Sequence, residues 1–119
     1  MSYREDKRLA LAATELSGLT GEELKEKAKE VLAMGMHGLC FSPYEEGQKP
    51  GERISEAQIR RRMALIQPYT QWIRSFSCTE GNEKIPGIAR EFGIKTMVGA
   101  WLGDDPDINR EEVDNLIVL

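Results

Sequence analysis

The sequence predicts an α/β fold: a leading helix, then three strand–helix units with parallel strands. Three observations predict it. Short apolar runs alternate with longer stretches of helical periodicity. Thr20-Gly21-Glu22-Glu23 and Ser55-Glu56-Ala57-Gln58 are capping boxes, in which a hydroxyl and a carboxylate or amide satisfy the free N–H groups at a helix start. A strand–helix–strand order gives parallel strands joined by right-handed crossovers.

The elements follow in order. From about Gly21 to Met34, Leu24, Ala28, Val31 and Leu32 fall on one side of a helix whose other side is charged, and Gly35 is placed to end it in a left-handed conformation. HGLCFSP, from His37 to Pro43, reads as a buried strand stopped by proline. Tyr44 to Ile54 holds two Gly and a Pro and reads as a loop. The second helix carries Ile59, Met63, Leu65 and Ile66 opposite Arg60, Arg61 and Arg62, and Pro68 marks its end. Trp72 to Cys78 reads as the second strand, and Glu83 to Phe92 as a helix closed by Gly93, with Pro86 in its first turn. Lys95 to Leu102 is the third strand. After GDDPD, Asp107 or Asn109 is expected to cap the last helix, REEVDNLIVL. That helix reaches Leu119 within an apolar run lacking Gly, Pro or a basic cap, and three strands leave a sheet edge open, so the chain is expected to be the N-terminal part of a larger α/β fold.

Composition narrows the function. With 119 residues, 40% hydrophobic and 30% charged, the chain has the make-up of a globular domain. A net charge of -4 disfavours a nucleic-acid partner, which needs a basic surface. No apolar run approaches the ~20 residues that span a bilayer. The run Leu9 to Ala13 is too short for a signal-peptide core, so a cytoplasmic location is expected. Cys40 and Cys78 lie in apolar stretches and are expected to be reduced core thiols. No C-x-x-C, phosphate loop or dinucleotide fingerprint is present, and no cofactor or metal is expected.

In parallel α/β folds, sites form at the carboxyl ends of the strands. The loops at 42–54, 77–83 and 101–109 are therefore the functional edge. They carry Glu45, Glu46, Glu80, Glu83, Asp104, Asp105 and Asp107. Paired carboxylates serve glycoside hydrolysis, but carboxylates beside helix starts also cap helices and stabilise their dipoles, the bland reading for Glu83, Asp107 and Glu111. Phe41, Tyr44, Phe76 and Trp101 lie on the same edge, where flat rings with nearby polar groups suit a sugar; Phe41 and Phe76 read equally well as core. Arg74 in a buried strand needs a carboxylate or a ligand. His37 stands at the opposite end of its strand and reads as structural.

The stretches GMHGLCFSPYEEGQKPG, PYTQWIRSFSCTEGNE and GIKTMVGAWLGDDPDIN resemble, in order and spacing, the first three strand–loop units of bacterial proteins related to glycoside hydrolase family 17, the β-1,3-glucanase-like group. The resemblance covers roughly residues 21 to 119. It implies three units of a (β/α)8 TIM-type barrel, preceded by an N-terminal extension over 1–20, and a partner that is a β-linked glucan or oligosaccharide. Phe41 matches the aromatic residue of the family's first strand, and Arg74 with Phe76 its Arg-x-Tyr pattern, with Phe where Tyr is common at both places. The expected substrate-binding residues are Phe41, Tyr44, Arg74, Phe76, Thr79 and Trp101. The family's acid lies in an Asn-Glu pair ending the fourth strand and its nucleophile on a later strand. Asn82-Glu83 instead opens a helix, so neither catalytic carboxylate is expected in this chain.

The resulting expectation is a portion of a β-glucan-active hydrolase or transglycosylase, itself inactive, completed by a downstream barrel half. A closed barrel needs roughly 200 residues. The alternative is a small non-catalytic α/β module that binds sugar or self-associates. A flavodoxin-like signalling domain would want about five strands.

Overall fold

The structure is a computed structural model that describes residue 16 and residues 18–119. The run Leu9 to Ala13 lies outside the described residues. The chain divides into two compact units, Met1–Met34 and Gly35–Leu119.

The first unit contains helix α1, Gly21–Met34, with the bounds that periodicity predicts. Its capping box is formed: the Thr20 backbone N–H donates to Glu23 Oε2 at 2.7 Å, and the Glu23 N–H donates to Thr20 Oγ1 at 3.3 Å. The bonds donated by the Thr20 backbone and hydroxyl hold the Glu23 carboxyl below its ordinary pKa.

The second unit is a mixed α/β layer. Its elements are β1 (Met36–Cys40), α2 (Glu56–Ile66), β2 (Thr70–Arg74), α3 (Ile85–Glu91), β3 (Lys95–Met97) and α4 (Pro106–Val118). Short 3₁₀ turns at Gln67–Tyr69 and Asn82–Lys84 lead into β2 and α3. The strands form one parallel sheet in the order β1-β2-β3. Among the described residues, no helix is long and apolar enough to cross a membrane.

Register fixes which side chains share a face. Leu39, Ile73 and Thr96 lie in one row across the sheet, and Cys40, Arg74 and Met97 in the next. Successive residues alternate faces, so these rows point to opposite sides. Ile73 is buried among Ile59 and Met63 of α2, Ile85, Ile88 and Ala89 of α3, and Ile94. Each fully buried side chain of this kind contributes roughly 1.5–3 kcal/mol. A bidentate pair, Arg60 to Glu91 at 2.6 and 3.0 Å, ties α2 to α3 on the outside. On the opposite face Cys40, Arg74, Lys95 and Met97 are exposed. The Lys95 ammonium sits 5.4 Å from the Trp72 ring centroid there.

Several expectations need correction. The second strand begins at Thr70 and ends at Arg74, and the third ends at Met97, so residues 75–78 and 98–102, read as strand, belong to loops. Cys40 is exposed, not core, and Cys78 is buried in a loop, not in a strand; both are free thiols. Leu65, expected on the buried side of α2, is exposed. The cap of α4 is Asp105, not Asp107 or Asn109. Its carboxylate accepts from the N–H groups of Asp107 and Ile108, and Pro106 follows at the position where a missing N–H costs least.

Candidate functional site

Three loops leave the carboxyl ends of the strands, and each is held by specific bonds. The loop after β1 begins with Phe41, whose N–H donates to the Arg74 carbonyl at 2.9 Å. Gln58, buried in the first turn of α2, donates to the Pro43 carbonyl at 2.9 Å and pairs with Gln48. Its amide therefore fastens the loop instead of closing the capping box, while Ser55 caps α2 by accepting from the Gln58 N–H. The far end of this loop is pinned where the Ile54 N–H donates to the Glu80 carbonyl at 2.9 Å.

The loops after β2 and β3 converge on one buried carboxylate. Glu112 of α4 is 1% exposed. It accepts from the hydroxyls of Ser77 and Thr79, from the Cys78 N–H at 2.7 Å and from the Trp101 N–H at 3.1 Å. Asn115, three residues along the same helix, donates to the Cys78 carbonyl at 2.6 Å. Thus α4 turns polar groups toward the sheet edge while Ile117 and Val118 are exposed. A buried carboxylate is tolerated only with such bonding, and here it fixes the path of both loops.

These loops enclose a cavity of about 500 Å³. Phe41, Tyr44, Phe76 and Trp101 line it, together with Pro43 and Ile108. Polar groups come from Ser77, Thr79 and Asn82, and carboxylates from Glu80, Glu111 and Glu112. An apolar cavity with a few converging polar groups is the usual form of a small-molecule site.

Five of the six expected substrate-binding residues meet in this cavity: Phe41, Tyr44, Phe76, Thr79 and Trp101. Phe41 is also part of the core, whereas Trp101 is 65% exposed. Thr79 is buried, and its hydroxyl is already given to Glu112. Arg74 is a correction. It is exposed on the sheet face, not buried, and does not line the cavity. Its guanidinium lies 5.1 Å from the Phe76 ring centroid, so it backs a wall residue by a cation–π contact instead of meeting a carboxylate.

Three of the seven edge carboxylates have structural partners. Glu45 pairs with Arg61 at 3.0 Å, Glu83 accepts from the Gly81 N–H at 2.8 Å, and Asp105 caps α4. Glu111, expected to serve a helix dipole, lies beyond the first turn of α4 and lines the cavity instead. Among the described residues, no three His, Cys, Asp or Glu side chains are arranged to hold a metal ion. The chain matches no family model, no curated protein and no solved structure.

Burial, together with the Glu112 and Glu83 carboxylates, pushes the Cys78 thiol up to about 11. The unfolded chain releases this proton near the ordinary thiol value, while the folded chain keeps it. The contribution to stability is therefore intact below the ordinary thiol pKa and is lost as pH rises through about 11. The thiolate is the reactive form, so at pH 8 iodoacetamide is expected to label exposed Cys40 and spare Cys78 until the chain is denatured. Mass spectrometry of the modified protein checks this, and equal labelling of both thiols in the native protein contradicts it.

Proposed function

We propose that the unit Gly35–Leu119 supplies part of the sugar-binding cleft of a β-glucan-active glycoside hydrolase or transglycosylase, without the catalytic carboxylate pair. The observation that carries this reading is the gathering of Phe41, Tyr44, Phe76 and Trp101 around one cavity at the carboxyl ends of parallel strands. Ring faces pack against the C–H faces of a pyranose, and neighbouring hydroxyls and amides orient its polar edge. In the barrel reading, the strand face turned away from the helices lines the barrel interior. The exposed row Cys40, Arg74 and Met97, opposite the helix-covered row, is in keeping with that arrangement. The free thiols of Cys40 and Cys78 support a cytoplasmic location.

Retaining glycosidases need two carboxyl groups about 5–5.5 Å apart, one of them able to give a proton to the leaving oxygen. Glu112 is ill suited to either role, because its oxygens already accept from four groups. That engagement of Glu112 favours a binding role in this proposal. The second reading, a self-associating sugar-binding module, is favoured by the exposed Leu116, Ile117 and Val118 of α4. Sedimentation of the pure chain separates the two, since a defined dimer belongs only to the module.

Calorimetric titration with laminari-oligosaccharides tests the sugar reading. Saturable binding is expected, and Trp101→Ala or Phe76→Ala is expected to weaken it about tenfold, the loss of roughly 1–1.5 kcal/mol of ring contact. No reducing sugar is expected from a β-1,3-glucan. Absence of binding overturns the proposal, and release of reducing sugar by the pure chain overturns its non-catalytic part.

A further inference from the structure

The charge of the cavity deepens this reading. Three of its lining residues, Glu80, Glu111 and Glu112, are carboxylates, and none is Lys, Arg or His. Glu80 and Glu111 are the two with no clamp to hold, and Glu112 adds its charge behind them. It is buried, its partners are two hydroxyls and two backbone N–H groups, and no cationic side chain among the described residues forms an ion pair with it. Dipolar partners weaken the field of a carboxylate without bringing a compensating positive charge to the cavity. The aromatic walls add to the same preference, because ring faces are negative and attract cations. The basic residue nearest to those walls in sequence, Arg74, lies outside the cavity behind Phe76.

We infer that the sugar held in this cavity carries an ammonium group: the ligand class is a β-linked amino sugar with a free amine, preferred over neutral glucose units and over acidic sugars. This inference rests on the sugar-binding reading. An ammonium donates up to three hydrogen bonds to carboxylates and packs against a ring face, and a hydroxyl at the same carbon offers neither charge nor ring-face attraction. An acidic sugar would bring like charge beside three carboxylates.

The test compares three oligosaccharides of one β-1,4 linkage that differ only at the second carbon: glucose, glucosamine and N-acetylglucosamine oligomers. Binding is followed by Trp101 emission in a Trp72→Phe chain, which leaves Trp101 as its sole tryptophan. The glucosamine oligomer is expected to bind about tenfold more tightly than the other two. That advantage should shrink in 0.5 M salt, a concentration of about half-molar chosen to screen charge. It should shrink again in the double variant Glu80→Gln, Glu111→Gln. Equal or tighter binding of the glucose oligomer overturns the inference and leaves the sugar reading standing. Failure of all three to bind while laminari-oligosaccharides bind overturns the inference alone, and failure of the laminari-oligosaccharides as well overturns the sugar reading with it. An ammonium advantage that salt and the double variant leave untouched also overturns it, because the preference would then not come from these carboxylates.

Discussion

Glu112→Ala is expected to destabilise the unit Gly35–Leu119 by about 4 kcal/mol, the largest loss from any single side chain at the site. The substitution leaves four donors without their acceptor: the hydroxyls of Ser77 and Thr79 and the N–H groups of Cys78 and Trp101. A buried donor left unpaired costs about 1–3 kcal/mol, and water entering through the adjoining cavity recovers part of the sum. Glu112→Gln keeps the volume and one acceptor oxygen but turns an amide N–H₂ toward N–H groups, so roughly half of the loss is expected. Urea denaturation reads both values from the shift in midpoint. An alanine variant within about 1 kcal/mol of the parent would show that Glu112 does not hold the loops. The consequence for function is direct, because the Trp101 N–H and the Ser77 and Thr79 hydroxyls define the cavity wall as well as the clamp.

Gly81→Ala is expected to cost about 3 kcal/mol through a different cause. Gly81 has φ 95°, where a side chain is strained. Its added Cβ would also collide with the Ile54 carbonyl oxygen and approach the Ile54 carbonyl carbon at 3.1 Å. Both are backbone atoms, so no rotamer change relieves the overlap. The loop 44–54 must move away, and the bond from the Ile54 N–H to the Glu80 carbonyl would break with it. Pro50 and Gly51 of that loop line the cavity, so ligand affinity should fall along with stability. Thermal melting checks the first effect. Gly87→Ala serves as the comparison, since nothing lies within 4 Å of a Cβ at that helical position. Equal melting temperatures for the two alanine variants would contradict the account.

The contrast between what the sequence made legible and what it hid has physical causes. Helix α1 and the start of α2 were readable because capping chemistry is local: Thr20 with Glu23, and Ser55 with the Gln58 N–H, lie within one turn. The parallel sheet was readable from element order. The ends of β2 and β3 were not. Beyond Arg74 the ladder continues only as far as the Ser75 N–H to the Met97 carbonyl, after which the chain bends to bring Ser77, Cys78 and Thr79 around a carboxylate more than thirty residues away. No local propensity encodes that bend.

Glu112 was missed for the same reason. In REEVDN it reads as one more solvated helix carboxylate, and only its spacing from Asn115 places the two on one side of α4. The cap of α4 has a local signal in the sequence: an Asp directly before a Pro is a strong helix start. Asn109, one of the two expected caps, exchanges two bonds of 2.8 Å with the backbone of Gly103 and so closes the loop ahead of the helix. Phe41, Tyr44, Phe76 and Trp101 were identifiable as a group because parallel topology brings strand ends to one edge whatever the loop details. The expected burial of Arg74 failed because β2 is covered on one face only, and its side chain lies on the other.

The proposed sugar site is the cavity among Phe41, Tyr44, Phe76 and Trp101. Tryptophan emission in the Trp72→Phe chain tests it most directly, because Trp101 is then the sole tryptophan and stands in the cavity wall. Titration with β-linked oligosaccharides is predicted to give a saturable blue shift as the exposed ring is covered, lost in Phe76→Ala. An emission spectrum that stays unchanged up to millimolar sugar, with the native fold intact, would contradict the account.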